Sequence, residues 1–390
     1  MKYRLHKDFE ISEIGVGCYA LGGVYGEKDV NEFKRMLVHA YELGINFFDT
    51  AGIYGEGERI LGEAVEPFRQ KVYLATKVSP IGAEQTRLSY ETLKSACENS
   101  LKSLRTDYVD LYQIHFDDPR TPVAETLAGL EKLVEEGKIR CYGVGHLPVE
   151  RVEEYCRQGR IFSVLMELNA AAPQACQSLL PLCQEFGTAG IAFSVTGRGI
   201  LTGKIRVGER FEKGDLRQID PLFQRERMES ALRIADYLAA FGKRYGKSAV
   251  QVAIAWVLAQ PGIVCALTGP SRIDHLEENA AASGWEIDQQ DLSRLEEFLK
   301  HESQQLSLAQ ANSIRNILIS PLPDESSQAF IDLVYVLETS MQLGLAQESQ
   351  IMPVFMELFS LRENLNQVEK TTLENIQTRL RDIVIPEKNE

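Results

Sequence analysis

Gly44-Ile45-Asn46-Phe47-Phe48-Asp49-Thr50-Ala51-Gly52-Ile53-Tyr54-Gly55 reads as a helix stop, a strand and a polar turn in succession. Gly44 follows the amphipathic stretch Asp29–Leu43 where a left-handed cap would sit. Ile45–Phe48 is an apolar run of strand length, Asp49 ends it, and Tyr54 lies in the turn beyond. The same alternation extends outward in both directions, from about residue 14 to about residue 300. Further strands are expected at Ile14–Gly17, Val72–Thr76, Tyr108–Ile114, Ile139–Val144, Phe162–Glu167, Ile191–Ser194 and Ile263–Leu267. Tyr90–Leu104, Val123–Glu136 and Met228–Tyr245 carry helical periodicity between them. Eight strands alternating with helices predict a parallel α/β architecture. Eight is the number that closes a (β/α)8 barrel, although doubly wound open sheets alternate in the same way. A dinucleotide-binding open sheet needs G-x-G-x-x-G after its first strand. Gly15-Val16-Gly17-Cys18-Tyr19-Ala20-Leu21-Gly22-Gly23 has the wrong spacing for it.

Residues 301–390 are different in kind. Gly344 is the only glycine there, and the segment holds a disproportionate share of the net charge of -14. Helical periodicity returns at Phe330/Leu333/Val334/Leu337 and Leu361/Leu365/Val368, with Pro321 and Pro323 marking a break. The expectation is a barrel over 1–300 followed by three or four appended helices over 301–390. Amphipathic helices bury their apolar stripe against something. That leaves the barrel, a second copy in a homo-oligomer, or a protein partner as what residues 301–390 meet.

Of the 390 residues, 44% are hydrophobic and 25% charged, an ordinary globular composition. An acidic surface repels phosphate backbones, so nucleic acid is not an expected partner. The apolar run Ala249–Ala259 is too short to cross a bilayer, so no membrane span is expected. Seven cysteines, none in C-x-x-C spacing, point to reduced thiols without a zinc site. With no apolar leader in MKYRLHKDFE, the expected location is cytoplasmic.

In a barrel, catalytic groups come from the C-terminal ends of strands. Asp49, Lys77 and His115 end the second, third and fourth strands, and Tyr54 follows in the turn after the second. Each alone has an ordinary reading: a turn former, a solvated lysine, a packed tyrosine, a satisfied histidine. Together they suit carbonyl chemistry. Hydride addition to a carbonyl leaves an alkoxide that needs a proton. A phenol is a sluggish acid until a nearby ammonium stabilises its phenolate. A carboxylate keeps that ammonium charged, and an imidazole can hydrogen-bond the substrate oxygen.

Gly44–Ala51 with Tyr54-Gly55 and Glu58 through Leu61-Gly62, and Asp107-Tyr108-Val109-Asp110-Leu111-Tyr112-Gln113-Ile114-His115, resemble the signatures of the aldo-keto reductase superfamily. The resemblance covers roughly residues 1–285. It implies a (β/α)8 barrel with NAD(P)H across its C-terminal face, Tyr54 as general acid, Lys77 and Asp49 tuning it, and His115 positioning the carbonyl. It implies cofactor contacts at Gly17 and Cys18 after the first strand and at Asn169. The seventh-strand segment Phe193, Ser194, Arg198, Leu201, Gly203 and Lys204 would hold nicotinamide and pyrophosphate. Gly269, Ser271, Arg272, Glu278 and Asn279 would hold the adenosine end.

Departures cluster at the nicotinamide. The family usually has G-V-S-N where this chain has Gly143-Val144-Gly145-His146, a glutamine where Leu165 stands, and a tyrosine where Phe193 stands. His146 could replace one lost hydrogen bond. Arg272 matches a phosphate bidentately, which favours NADPH, with NADH as the second candidate. Tyr19 and Tyr25 are candidates to line the pocket for a small-molecule carbonyl or alcohol substrate. The expected activity is NADPH-dependent reduction of an aldehyde or ketone, sugar-like carbonyls included. The alternatives are the oxidative direction, as an alcohol or sugar dehydrogenase, and a cofactor-sensing interaction module using the acidic helical tail.

Overall fold

The computed structural model describes residues 1–23, 29–80, 87–212, 214–361 and 368–385. An antiparallel hairpin, β1 (Tyr3–His6) and β2 (Phe9–Ser12), comes first. Eight parallel strands follow: β3 (Ile14–Gly17), β4 (Phe47–Asp49), β5 (Tyr73–Val78), β6 (Val109–Ile114), β7 (Ile139–Gly145), β8 (Ser163–Glu167), β9 (Ala189–Phe193) and β10 (Ile263–Thr268). They form a closed barrel in sequence order. The closing pairs are Ala266 with Ile14 and Thr268 with Val16, which removes the open-sheet alternative. All eight expected strands are present, shifted by a residue or two at their ends. The hairpin had no signal in the periodicity.

The helices between strands start and stop on local chemistry. Asp29 caps the helix Val30–Glu42 by accepting from the amides of Asn31 and Glu32. Gly44 follows with φ of 88°, a conformation costly for a residue with a Cβ. Ser89 caps Tyr90–Leu104 by accepting from the Thr92 amide. The strands are buried on both faces, as helix-covered parallel strands must be.

Pleat parity then sorts the side chains. Phe47, Ala75, Leu111, Leu165, Ile191, Cys265 and Leu267 share one interior core with Phe9 and Ile11 of the hairpin. Phe9 lies 4.7 Å from Phe162 and 5.0 Å from Tyr73, ring to ring, at the end where the strands begin. The hairpin therefore plugs the N-terminal end of the barrel. Residues two steps further along the same strands face the same interior at the other end. These are Asp49, Lys77, Gln113, Glu167 and Phe193, with His115 two beyond Gln113.

The chain divides into two compact units, Met1–Lys204 with Ala235–Leu292, and Ile205–Ile234 with Ser293–Glu390. The first is the barrel. The second takes in the stretch 205–234, which periodicity alone leaves within the barrel. Its helices include Ser326–Gln342, Glu348–Ser360 and Lys370–Val384. Phe330, Leu333, Val334 and Leu337 all enter its core, as their spacing predicts. Tyr335 donates to Glu226 at 2.6 Å, and Arg225 pairs with Asp332 at 2.7 Å, within that unit. Of the second periodic set, Leu365 lies outside the described residues. No helix among the described residues is long and apolar enough to cross a membrane.

Gly62, in the helix Gly57–Val65, lets that helix approach its neighbour closely. A Cβ there would meet the carbonyl oxygen of Leu104 at 2.5 Å. Gly62→Ala should lower unfolding free energy by about 1–3 kcal/mol through overpacking, despite alanine's better helix propensity. Urea denaturation of the variant beside wild type measures it.

Candidate active site

Four side chains named from the sequence meet at the C-terminal end of the barrel. Asp49, Lys77 and His115 are buried, at 5%, 3% and 2% exposure, and Tyr54 is half-buried. Lys77 Nζ donates to Asp49 Oδ1 at 2.6 Å and to the Thr50 carbonyl at 2.7 Å. It also lies 5.0 Å from the centroid of the Tyr54 ring. The Tyr54 hydroxyl and His115 Nε2 are 3.4 Å apart. Strand register explains the convergence. Asp49 pairs with Ala75, two before Lys77, while Lys77 pairs with Gln113, two before His115.

The electrostatics follow from burial. Burial pushes the Asp49 carboxyl up, and the Lys77 ammonium opposes it. At 2.6 Å the two form an ion pair. His115 is held well below the ordinary imidazole value by burial, by Lys77 and by His146. It is neutral at physiological pH, with Nδ1 buried and without a partner. A neutral imidazole can offer a hydrogen bond to a carbonyl oxygen without competing for Tyr54's proton.

Aromatic rings wall the site. Tyr19 meets Tyr54 edge-on at 5.0 Å, and Phe116 stacks on His115 at 4.4 Å. His146 lies 5.4 Å from His115 and 4.8 Å from Phe193. Its φ of 48° is the left-handed conformation that residues with a Cβ seldom adopt. The ring reaches solvent at the rim, yet the protein crowded around it, then Lys77, lowers its pKa to about 4. Gly145, His146, Leu165, Glu167 and Phe193 help line a cavity of about 110 Å³. Leu165 is buried and, like Gly145, offers no polar side-chain atom, so the hydrogen bonds absent from the sequence are absent from this corner of the site. Tyr25 lies outside the described residues.

The loops after β9 and β10 have the chemistry of a nucleotide site. Ser194 (φ 56°) and Arg198 (φ 52°) join Gly197, Gly199 and Gly203 in a tight left-handed turn. Ser194 Oγ is buried without a partner, an unmet polar atom in a loop that could take phosphate. Lys204 pairs with Glu278 at 3.0 Å, and Arg272 with Asp274 at 2.5 Å on their exposed faces. Arg272 stands at the N-terminal boundary of the helix Ile273–Ala280 without a side-chain capping bond, and a Cβ on the exposed Gly269 would meet open space. Ser271 is partly exposed beside them. These residues fit a bound dinucleotide at its phosphate end.

Other expected contacts lie deeper. Asn169 is fully buried, donating to the Ser194 carbonyl at 3.0 Å and accepting from the Ala171 amide, so it shapes the turn. Cys18 and Leu201 are fully buried and Asn279 nearly so, while Gly17 is partly exposed at the end of β3. Burial drives the Cys18 thiol far above the ordinary range. Arg198 pairs with Glu167 at 2.8 Å. Gln113 and Phe116, which sequence reading passed over, also belong here. Gln113 was findable: it precedes His115 by two and shares its face.

The aldo/keto reductase family matches residues 13–300. Aldo-keto reductase YhdN of Bacillus subtilis is 33% identical over 301 residues, spanning 75% of this chain and 91% of that protein. Probable aldo-keto reductase 1 of Glycine max is 31% identical over 295 residues, spanning 74% and 85%. Among solved structures, the glycerol dehydrogenase from Gluconobacter oxydans superposes with a TM-score of 0.70 at 28% identity, covering 77% of this chain and 95% of that one. The holo form of an aldo-keto reductase from Bacillus halodurans gives 0.64 at 28% identity, covering 76% and 96%.

His115 makes stability depend on pH. Its folded pKa lies below the ordinary 6.5, so the unfolded chain binds more protons once pH drops beneath that value. Stability contributed by the neutral ring is whole above about pH 6.5 and declines as pH falls. His115→Asn, which does not titrate, should flatten unfolding free energy between about pH 7 and about pH 5. Urea titrations of both proteins across that range check it, and equal slopes would count against it.

Proposed function

This chain belongs to the aldo/keto reductase family and is an NAD(P)H-dependent oxidoreductase, and we propose that it reduces an aldehyde or ketone to an alcohol with Tyr54 as proton donor. The observation that carries this is the half-buried Tyr54 hydroxyl 3.4 Å from His115 Nε2, with the Lys77 ammonium 5.0 Å from its ring. The bound nicotinamide supplies the hydride. Tyr54 gives its proton to the oxygen that gains charge, and the Lys77 cation stabilises the phenolate left behind. Asp49 pairs with Lys77 inside the barrel and holds its ammonium in place. His115, neutral, hydrogen-bonds the carbonyl oxygen and orients it toward Tyr54. The same groups run the oxidation of an alcohol in reverse.

We assign the phosphate end to Ser194, Lys204, Ser271 and Arg272, and the face against nicotinamide to Phe193 and His146. NADPH is the proposed cofactor, because the exposed Arg272 fork suits a 2′-phosphate once Asp274 releases it. Residues 301–390 lie beyond the family match and receive no part in the chemistry. Neutral aldehydes and ketones belong in the first substrate panel. Small polyols join them, since one structural relative is named a glycerol dehydrogenase.

Tyr54→Phe should lower kcat by about 10²–10⁴-fold, the usual contribution of a general acid, while NADPH still binds. The absorbance of reduced nicotinamide under turnover and fluorescence titration of NADPH measure the two parts. Wild-type turnover that survives the substitution would remove Tyr54 from the chemistry. Arg272→Ala should weaken NADPH by about tenfold or more and leave NADH nearly unchanged, because only the former presents the extra phosphate. Equal losses for both cofactors would sink the NADPH preference.

A further inference from the structure

Gln113 is a polar side chain at full burial, on β6 and level with Lys77 across the strand pair. The barrel interior one step below it is apolar, made of Ala75, Leu111 and Ile191. Gln113 Nε2 donates to Asp49 Oδ2 at 3.5 Å, while Oε1 has no partner. An amide left half-satisfied in a core is costly, and an apolar residue of equal volume would avoid that cost. Its cost is explained if the donated bond is needed.

The need lies on Asp49. One carboxylate oxygen receives Lys77, and Gln113 provides the sole side-chain donor to the other among the described residues. A buried carboxylate with one bare oxygen favours its protonated form. Protonation would end the ion pair that holds the Lys77 ammonium beside the Tyr54 ring. Facing this spot are Lys77 from β5, Tyr54 from the turn after β4, His115 from the end of β6, and the buried thiols of Cys18 and Cys265 from the segments around β3 and β10. Of these, Lys77 binds the carboxylate through Oδ1.

We infer that Gln113 is a positioning residue of this site, keeping Asp49 ionised through Oδ2 so that Lys77 stays paired with it and aimed at Tyr54. The inference rests on the reductase reading for its kinetic consequences, but the contact itself can be tested without turnover. Gln113→Met preserves volume and removes the donor. Gln113→Glu keeps the shape and donates only while protonated, and when ionised it sets two carboxylates face to face.

For Gln113→Met the expected result is a folded protein with NADPH affinity near wild type, kcat lower by about tenfold or more, and an acid limb of the pH profile moved to higher pH. For Gln113→Glu, kcat and Tm should stay near wild type at the acid end and both fall as pH rises. The new carboxyl is raised by its neighbour, and the unfolded chain releases that proton first. A Gln113→Glu protein that folds only at acid pH counts as the expected result. Wild-type kcat and pH profile in Gln113→Met would overturn the inference. So would Gln113→Glu tracking the wild-type Tm across pH, or failing to fold at every pH. If Gln113→Met does not fold, the pH dependence of Gln113→Glu decides alone. Absence of turnover in wild type would defeat the reductase reading while leaving the Tm comparison to judge this contact.

Discussion

Two opposite charges are buried together at the mouth of the barrel, and the rest of the site is arranged around them. Lys77 and Asp49 are both nearly inaccessible to water, 2.6 Å apart. Burying either one alone would carry a desolvation penalty of several kcal/mol. The penalty is tolerable because the ammonium also meets the Thr50 carbonyl and the carboxylate meets Gln113. An ion pair in such a place adds little net stability. Its consequence is local: a fixed positive charge close to a phenol, with little water to screen it.

That charge bears on both Tyr54 and His115. Burial first, and then the same cation that can stabilise a phenolate, oppose protonation of the nearby imidazole. Burial and one ammonium together leave a neutral imidazole 3.4 Å from the phenol proposed as proton donor. The aromatic walls of Tyr19, Phe116 and Phe193 add no charge of their own. At the other end of the expected cofactor track, Lys204 and Arg272 each hold an acidic neighbour, and neither is deeply buried. Their charges are open to exchange for phosphate, whereas the Lys77 pair is locked.

Much of this is legible in the sequence because periodic burial leaves a mark on it. Eight apolar runs had to be strands, and Asp49, Lys77 and His115 stood out as polar residues where each run ends. The hairpin left no such mark. Its residues alternate weakly and matter only because Phe9 and Ile11 fill the barrel floor. Gln113 is legible only by counting back two from His115. It sits inside an apolar run, and only inward parity distinguishes it from its neighbours. Asn169 could be located but not understood, since whether an amide faces a ligand or the backbone depends on a turn that sequence does not display.

The sequence by itself determined the order of strands and helices, the family, and the four residue types that carbonyl chemistry requires, because strand-length hydrophobicity and motif spacing are local properties. Closure of the sheet, the pairing of Lys77 with Gln113 and Asp49, and the meeting of Tyr54 with His115 were decided by tertiary structure. These depend on register between strands far apart in the chain. A shift of one residue in that register would turn the inward column of side chains out toward the helices.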